Sequence, residues 1–178
     1  MSGKATKDRV KLINCTEEIL HAIIKGDEAL AELLKIQVLE NWSEFGSPAF
    51  EYSLGKIKEN PQDVKWWTYL PIHVWKNAVI GSCGFKGPPD SDGMVELGYE
   101  VIEQYRNRGY AREITHILIN LAFKDDSVKK VRAHTLATSN PSASLLEKCG
   151  FKKIDEVQDE EDGPMWRWER LRDDSVKK

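Results

Sequence analysis

Cysteine is scarce in this chain. Cys15, Cys83 and Cys149 are its three cysteines, odd in number and without close spacing. That pattern excludes a disulfide framework and a cysteine-based zinc site, and reads as reduced, mostly buried thiols. Nothing nearby in sequence activates one of them as a nucleophile. The four histidines, His21, His73, His116 and His134, lack ligand spacing, so a metal is not expected. No apolar run approaches the roughly 20 residues that span a bilayer. The opening Met-Ser-Gly-Lys-Ala-Thr-Lys-Asp-Arg has no apolar core of a leader peptide. Excess positive charge is missing too. The 26 Lys and Arg stand against 29 Asp and Glu for a net charge of −3, so no global field recruits nucleic acid. Neither Gly-x-Gly-x-x-Gly nor Gly-Lys-Ser/Thr occurs, which removes support for a nucleotide-binding protein of those classes. The expectation is a cytoplasmic protein without membrane or nucleic-acid partners.

What is present fits one globular domain over residues 1–178, with 40% hydrophobic and 31% charged residues. Val10 to Cys15 reads as a strand. Thr16 followed by Glu17 and Glu18 reads as a helix start, since early carboxylates suit the helix dipole. Amphipathic helical pieces follow at 17–25 and 27–36, and a third covers about 49–59 before Asn60-Pro61. Trp66 to Trp75 and Ala78 to Phe85 read as a strand hairpin, and Gly87 to Gly93 as a turn. Met94 to Ile102 reads as the central strand. In the next helix Ile114, Ile117, Leu118, Leu121 and Ala122 recur on one face, with Ala111 a turn earlier. Val131 to Ala137 is a strand. Asn140 caps a helix that has Pro141 at its first position and Gly150 past its end. Strands near 151–158 and 165–171 close the fold around the acidic loop 159–162. Trp166 and Trp168 share a face of the last strand, as core or dimer contacts. The hexapeptide Asp-Asp-Ser-Val-Lys-Lys occurs at 125–130 and at 173–178, the first as a helix-to-strand turn and the second as a frayed tail. Six residues are too few for a repeat architecture. The order predicts an α+β fold with a mixed, mostly antiparallel sheet and a right-handed parallel crossover over 94–137.

The most informative stretch runs from Val95 to Glu113. It reads as a strand passing through the short basic loop Arg106-Asn107-Arg108-Gly109-Tyr110-Ala111 into a helix. Backbone N–H groups, a helix N-terminus and two arginines converge there, an arrangement that suits a phosphate or pyrophosphate. Gly109 has no Cβ to keep phosphate oxygens from the backbone. The alternative reading is an ordinary strand–loop–helix connection with solvated arginines.

This loop fits the Arg/Gln-x-x-Gly-x-Gly/Ala signature of the GNAT family of N-acetyltransferases. The run Asn140-Pro141-Ser142-Ala143-Ser144-Leu145-Leu146-Glu147-Lys148-Cys149-Gly150-Phe151 resembles the family's second signature, a helix ending in Glu-Lys-x-Gly-Phe. The Gly-Tyr-Ala-x-Glu form most resembles the ribosomal-protein N-terminal acetyltransferase branch and its small-molecule relatives. The resemblance implies a GNAT fold whose sheet is splayed between the strands at 94–102 and 131–137. It implies an acetyl-CoA-binding core over 79–152 and acceptor-side elements at 17–60 and 153–171. Loop residues Arg106 to Ala111 would meet the pyrophosphate, and Val101 and Ile102 would lend backbone groups to pantetheine. Gly98 would mark a bulge, or else pack beneath a Trp or Tyr. Asn140 and Ser142 complete the cofactor-binding set, although the family's asparagine falls one residue earlier, at Ser139 here. Homodimers are frequent in the family.

The reaction so implied is attack of a neutral amine on a thioester. An α-amine has a pKa near ~8 and a lysine near ~10.4, so a base helps. Glu96 is the leading candidate base. By alternation it shares a face with Glu100, and read structurally it is a sheet-surface carboxylate. His73 and His134 are further candidates. Many family members carry a tyrosine general acid where this chain has Leu146, which leaves Ser142, Ser144 and Tyr99 as substitutes or the thiolate departing unassisted. Trp42, Phe45, Phe50, Tyr52, Trp66 and Trp67, with the acidic loop, are available to an amine acceptor, a peptide α-amine or a small molecule. The competing reading is a non-catalytic acyl-CoA-binding module of the same fold.

Overall fold

A computed structural model describes residues 8–173. The second copy of the hexapeptide falls almost wholly outside them. The described chain divides into two compact units, residues 8–82 with 100–110, and residues 83–99 with 111–173. The architecture is α+β with a largely antiparallel sheet flanked by helices.

The first unit opens with strand β1 (Val10–Asn14) and helices α1 (Glu17–Lys25) and α2 (Asp27–Leu34). Thr16 accepts a hydrogen bond from the Ile19 N–H at 3.3 Å, and Glu17 and Glu18 fill the first turn, so α1 begins where its cap places it. Ile19, Leu20 and Ile23 form its buried face. Gly26, at φ 136°, turns the chain into α2. Next come the short strand β2 (Gln37–Val38) and helix α3 (Gly46–Glu59), which buries Phe50, Leu54 and Ile57. Strand β3 (Thr68–His73) is bordered by antiparallel β1 on one edge and by β4 (Ala78–Val79) on the other, with β2 parallel to β4.

Two expected strands are shorter than the sequence suggests. Residues 61–66 form a 3-10 helix started by Pro61, so β3 begins at Thr68 rather than Trp66. The expected strand at 78–85 is interrupted at Ile80, whose N–H donates to the Pro71 carbonyl. The interruption leads into Gly81, where an added Cβ would collide with the Glu100 carbonyl oxygen.

In the second unit the strands follow the order β5 (Gly81–Phe85), β6 (Met94–Val101), β7 (Lys130–Leu136), β9 (Gly163–Leu171), β8 (Lys152–Asp159). The boundary with the first unit falls within β5, between Ser82 and Cys83, and within β6, after Tyr99. Parallel pairing of β6 with β7 runs through Met94↔Lys130, Val95↔Val131 and Glu96↔Arg132 and then ends. From Leu97 and Ala133 onward the two strands are not bridged to each other. An added Cβ at Gly98 meets nothing within 4 Å, so Gly98 does not pack beneath a Trp or Tyr.

Helix α4 (Tyr110–Phe123) buries Ile114, Thr115, Leu118, Ile119 and Ala122, a stripe rotated from the expected one. Thr115 tolerates burial because its hydroxyl donates to the Ala111 carbonyl at 2.8 Å. Helix α5 (Pro141–Lys148) is capped as its sequence predicts, with Asn140 Oδ1 accepting the Ala143 N–H at 2.9 Å. Trp166 and Trp168 do share a face, with ring centroids 6.3 Å apart, and Trp168 is core, donating to the Thr135 hydroxyl at 3.0 Å.

Candidate active site

Glu96 stands at the last bridged position of β6, immediately before the strand parts from β7. Val95 and Leu97 are buried on one face, so alternation puts Glu96 on the other. His134 of β7 and Lys86, just past β5, both reach it. His134 Nδ1 lies 2.9 Å from Glu96 Oε1, and Lys86 Nζ donates to the same oxygen at 2.6 Å. No described residue donates to Oε2. Burial works to raise the Glu96 carboxyl, but the hydrogen bonds and charges of Lys86 and His134 outweigh it, and the net pKa lies below the ordinary 4.5. Glu96 is therefore ionised at neutral pH with one oxygen open. Asp159, on the β8–β9 turn, lies within electrostatic reach of Lys86 and His134. The N–H groups of Glu161 and Asp162, which its carboxylate accepts, hold that acidic turn in shape.

Glu100 is a different kind of carboxylate. It is buried and accepts from the Ser43 and Ser82 hydroxyls, both at 2.6 Å, and from the N–H groups of Glu44 and Phe45 at 2.8 and 3.3 Å. With four donors satisfied inside the protein, it fixes the loop before α3 rather than serving as a base. His73 is likewise committed. Its Nδ1 accepts from the Lys76 N–H at 3.1 Å, so the neutral ring carries its proton on Nε2 and donates to Tyr110 Oη at 3.0 Å.

The loop before α4 has Asn107 at φ 58° and Gly109 at φ 83°. Left-handed residues in a turn are one element of the N–H nests that bind anions, and Arg106 before them is extended. Arg106, Asn107, Arg108 and Gly109 are exposed, and Tyr110 is buried against His73. Arg106 is anchored: its Nε donates to the Val101 carbonyl at 2.7 Å and its Nη2 to Glu44 Oε1 at 2.6 Å. Sequence reading missed Arg9. Its Nη1 donates to the Arg108 carbonyl at 3.0 Å, its guanidinium lies 4.5 Å from the centre of the Tyr110 ring, and its Nη2 would sit 3.3 Å from a Cβ at Gly109. Ninety-nine residues separate Arg9 from Arg108, and no local signal links them. The positive φ at Gly109 also means that a valine there would strain the backbone.

Val101 and Ile102 are buried. The Val101 carbonyl is taken by Arg106, and the Ile102 N–H donates to the Ile80 carbonyl at 2.9 Å. Asn140 spends its amide nitrogen on the Leu136 and Thr138 carbonyls as well as capping α5 with its oxygen. Ser142 lies beside Tyr99, and Ala111 opens the second unit at the base of α4.

Of the aromatic residues named for the acceptor, Trp42, Phe50, Trp66 and Trp67 are core, whereas Phe45 and Tyr52 are exposed. Trp42 Nε1 donates to Asp27 Oδ1 at 2.9 Å. Asp27, Asn41, Trp42, Ser43 and Phe50 are among the residues lining an open recess of ≈ 210 Å³.

This fold and these two signature segments meet a match at the level of family. The family model described as acetyltransferase (GNAT) domain matches residues 19–152, and the chain belongs to that family. The protein named Uncharacterized N-acetyltransferase YjdG of Bacillus subtilis (strain 168) is 36% identical over 146 residues, 81% of this chain and 86% of that protein. The SPbeta prophage-derived N-acetyltransferase YokL of the same strain is 23% identical over 134 residues, 75% of each chain. Among solved structures, the ribosomal-protein-S5-alanine acetyltransferase of Vibrio fischeri shares the fold with a TM-score of 0.69 at 14% identity, covering 94% of this chain and 96% of that one. The dodecameric spermidine N-acetyltransferase of Vibrio cholerae does so with a TM-score of 0.67 at 16% identity, covering 95% and 97%. The protein is thus a GNAT-type N-acetyltransferase, an enzyme of a family that uses acetyl-CoA as cosubstrate. Among the described residues no helix is long and apolar enough to cross a membrane.

Proposed function

We propose that this enzyme moves the acetyl group of acetyl-CoA to a primary amine by direct attack on the thioester, with Glu96 receiving the amine's proton. One observation carries the assignment: Glu96 Oε1 is held by Lys86 and His134 while Oε2 is open. The carboxylate is oriented, ionised and placed where β6 and β7 separate. A second reading has its own support. An ionised carboxylate only accepts, so the 2.9 Å contact puts the proton of the neutral His134 ring on Nδ1 and leaves a lone pair on Nε2. Glu96 then orients His134, which takes the proton.

The phosphate side of acetyl-CoA suits the loop 106–111. Asn107, Gly109, Tyr110 and Ala111 bring N–H groups, Arg108 brings charge, and Arg106 holds the loop in shape. Arg9 adds a guanidinium. Val101 and Ile102 line the pantetheine path as buried wall, since a backbone group of each is already engaged. Asn140 and Ser142, at the start of α5, belong to the same proposed cosubstrate set. In this reading residues 79–152 bind the cosubstrate, while 17–60 and 153–171 serve the acceptor within a single domain.

A cationic acceptor fits the acceptor side. The acidic turn at Asp159 stands near the proton-accepting pair, and Asp27 with Trp42 and Phe50 lines the recess before α3. Spermidine and an alanine-initiated peptide are the acceptors to try, because structural neighbours are named for a spermidine and a ribosomal-protein-alanine activity. A homodimer remains part of the reading. The test is a coupled assay of thiol release from acetyl-CoA with each amine, beside titration calorimetry of acetyl-CoA. Micromolar binding with amine-dependent thiol release supports the assignment. Binding without release from any primary amine returns the protein to an acyl-CoA-binding module.

A further inference from the structure

We propose that the sheet face carrying Glu96 selects an acceptor amine with an apolar group close to the nitrogen, and that Leu136, Met165 and Val157 bind that group. The inference rests on the acetyl-transfer reading above and names the class of acceptor for it. Every residue involved belongs to the second unit.

Strand β7 alternates cleanly. Val131, Ala133 and Thr135 are buried on one face, and Arg132, His134 and Leu136 line the other. Cross-strand pairing extends that second face into rows. His134 stands opposite Arg167 and then Asp155, and Leu136 opposite Met165 and then Val157. Glu96 is level with Arg132 and reaches His134 on the same face. The charged groups there are committed within the protein: Arg132 to Glu169 at 2.6 Å, Arg167 to Asp155 at 3.1 Å, and His134 to Glu96 at 2.9 Å. The next row is apolar across all three strands. Leu136 is 51% exposed, and Met165 and Val157 are half-buried.

A bulge makes that row apolar. The register of β8 against β9 shifts by one residue between Lys153 and Asp155. In an unbroken register Glu156 would oppose Met165, and Ile154 would oppose Arg167. The extra residue sets Val157 beside Met165 and Asp155 beside Arg167 instead. A one-residue slip exchanges the two faces of a strand, and bulges recur next to active sites, where they re-aim side chains.

Position and size identify the occupant. Leu136 follows His134 by two residues, about 7 Å along the strand. Past Glu96, β6 is no longer bridged to β7, and a Cβ at Gly98 would meet nothing within 4 Å. Two strand spacings make the row about 10 Å wide, room for one leucyl or phenyl group. A stable subunit interface buries about 800 Å² per partner, and one apolar row beside charged ones is far smaller. The carboxylates Glu96 and Asp159 attract the ammonium form of the acceptor, while the row covers its apolar group. A polyamine, charged along its length, would lay an ammonium group against Leu136 and Met165.

The test measures kcat/KM by thiol release from acetyl-CoA for wild type and Leu136→Ser, beside calorimetry of acetyl-CoA. The acceptors are peptides that differ only in a first leucine or serine, with isoamylamine and spermidine as free amines. Wild type should prefer the leucine-initiated peptide over the serine-initiated one, and isoamylamine over spermidine, by about 10-fold or more. Leu136→Ser should abolish that preference through KM, with the serine-initiated peptide and the acetyl-CoA Kd changed less than about twofold, and Leu136→Met should retain it. The faster of the two apolar acceptors, peptide or free amine, identifies where the group comes from. If Leu136→Ser does not fold, Val157→Ser on the edge strand makes the same comparison. An active wild type that is indifferent to the apolar group, or faster with spermidine, overturns the proposal and leaves acetyl transfer standing. So does a Leu136→Ser enzyme that slows every acceptor alike, binds acetyl-CoA more weakly, or sediments as a monomer where wild type is a dimer, since the row then serves the fold, the cosubstrate or a second copy. A wild type that binds acetyl-CoA without turnover on any amine removes the parent reading, and this one with it.

Discussion

Arg132 closes both Nε and Nη2 on a single oxygen of Glu169, at 3.0 and 2.6 Å, across the antiparallel pair β7–β9. Lys130 reaches the other oxygen at 3.4 Å. Burial favours the neutral acid, yet these two cations outweigh it and hold the Glu169 carboxyl below its ordinary 4.5. A carboxylate whose folded pKa is depressed contributes stability that is present above the unfolded value and lost as pH falls through the folded one. Glu96 acts in the same sense. The share of the melting temperature due to these carboxylates should hold from pH 7 to about 5 and be lost below the carboxylate range near 4.5. Glu169→Gln should melt lower at pH 7 and decline less steeply on acidification. A parallel decline in variant and wild type would show that Glu169 is not a source of the acid sensitivity.

Glu96→Gln keeps the size of the side chain but removes its basicity. Its kcat should fall roughly 10²- to 10⁴-fold with little change in acetyl-CoA affinity. The pH profile then separates the two base assignments. Protonation of Glu96 lies below 4.5, so a rate that survives down to that range marks the carboxylate as the base. A rate lost well above it marks His134, and His134→Gln should then be as slow as Glu96→Gln.

Arg9→Gln tests the guanidinium beside Gly109. A charge-assisted hydrogen bond to phosphate is worth about 1.5–3 kcal/mol, so the Kd for acetyl-CoA should rise roughly tenfold or more. Calorimetry with 3′-dephospho-coenzyme A assigns the contact. If Arg9 serves the 3′-phosphate, wild type and variant bind that analogue equally. If it serves the pyrophosphate, the variant is weaker for both ligands.

Glu100→Ala leaves two hydroxyls and two N–H groups without their acceptor. A loss of about 3 kcal/mol is expected in urea unfolding, together with faster proteolysis in the loop 43–46. A variant within 0.5 kcal/mol of wild type by order of magnitude would mean that water replaces the carboxylate.

Some parts of this molecule were legible from sequence because their cause is local. Thr16 and Asn140 cap where their side chains reach the next turn, Pro141 opens α5 and Gly150 follows it, and the β6–loop–α4 segment carries its own signature. Other parts depend on neighbours distant in the chain. The break at Ile80 comes with its bond to the Pro71 carbonyl on β3, and the rotated stripe on α4 buries Thr115, whose hydroxyl is satisfied by the Ala111 carbonyl. Glu96 and Glu100 look alike by alternation. Their roles diverge because Ser43, Ser82 and the loop N–H groups consume one, whereas Lys86 and His134 leave the other half open. Arg106 carried the phosphate expectation in the motif, yet Glu44 and Val101 occupy it, and Arg9 stands by the loop from the far end of the chain.

The termination of β6–β7 pairing at Glu96 has a bearing on how the protein should behave without its cosubstrate. Amides after that point that face β7 lack a cross-strand carbonyl there, while β6 stays hydrogen-bonded to β5 along its other edge. Deuterium uptake should therefore be quicker at the β7-facing amides of residues 97–99 than at those of 94–96, a boundary within one strand that no loop marks. A pantetheine arm lying between the strands would offer its own amides as a stand-in neighbour. Saturation would then slow exchange on β6 and raise the global stability by about 2.7 kcal/mol at a hundredfold excess over Kd. In that sense the cosubstrate would finish the sheet, and the enzyme would be most firmly folded when it is ready to react.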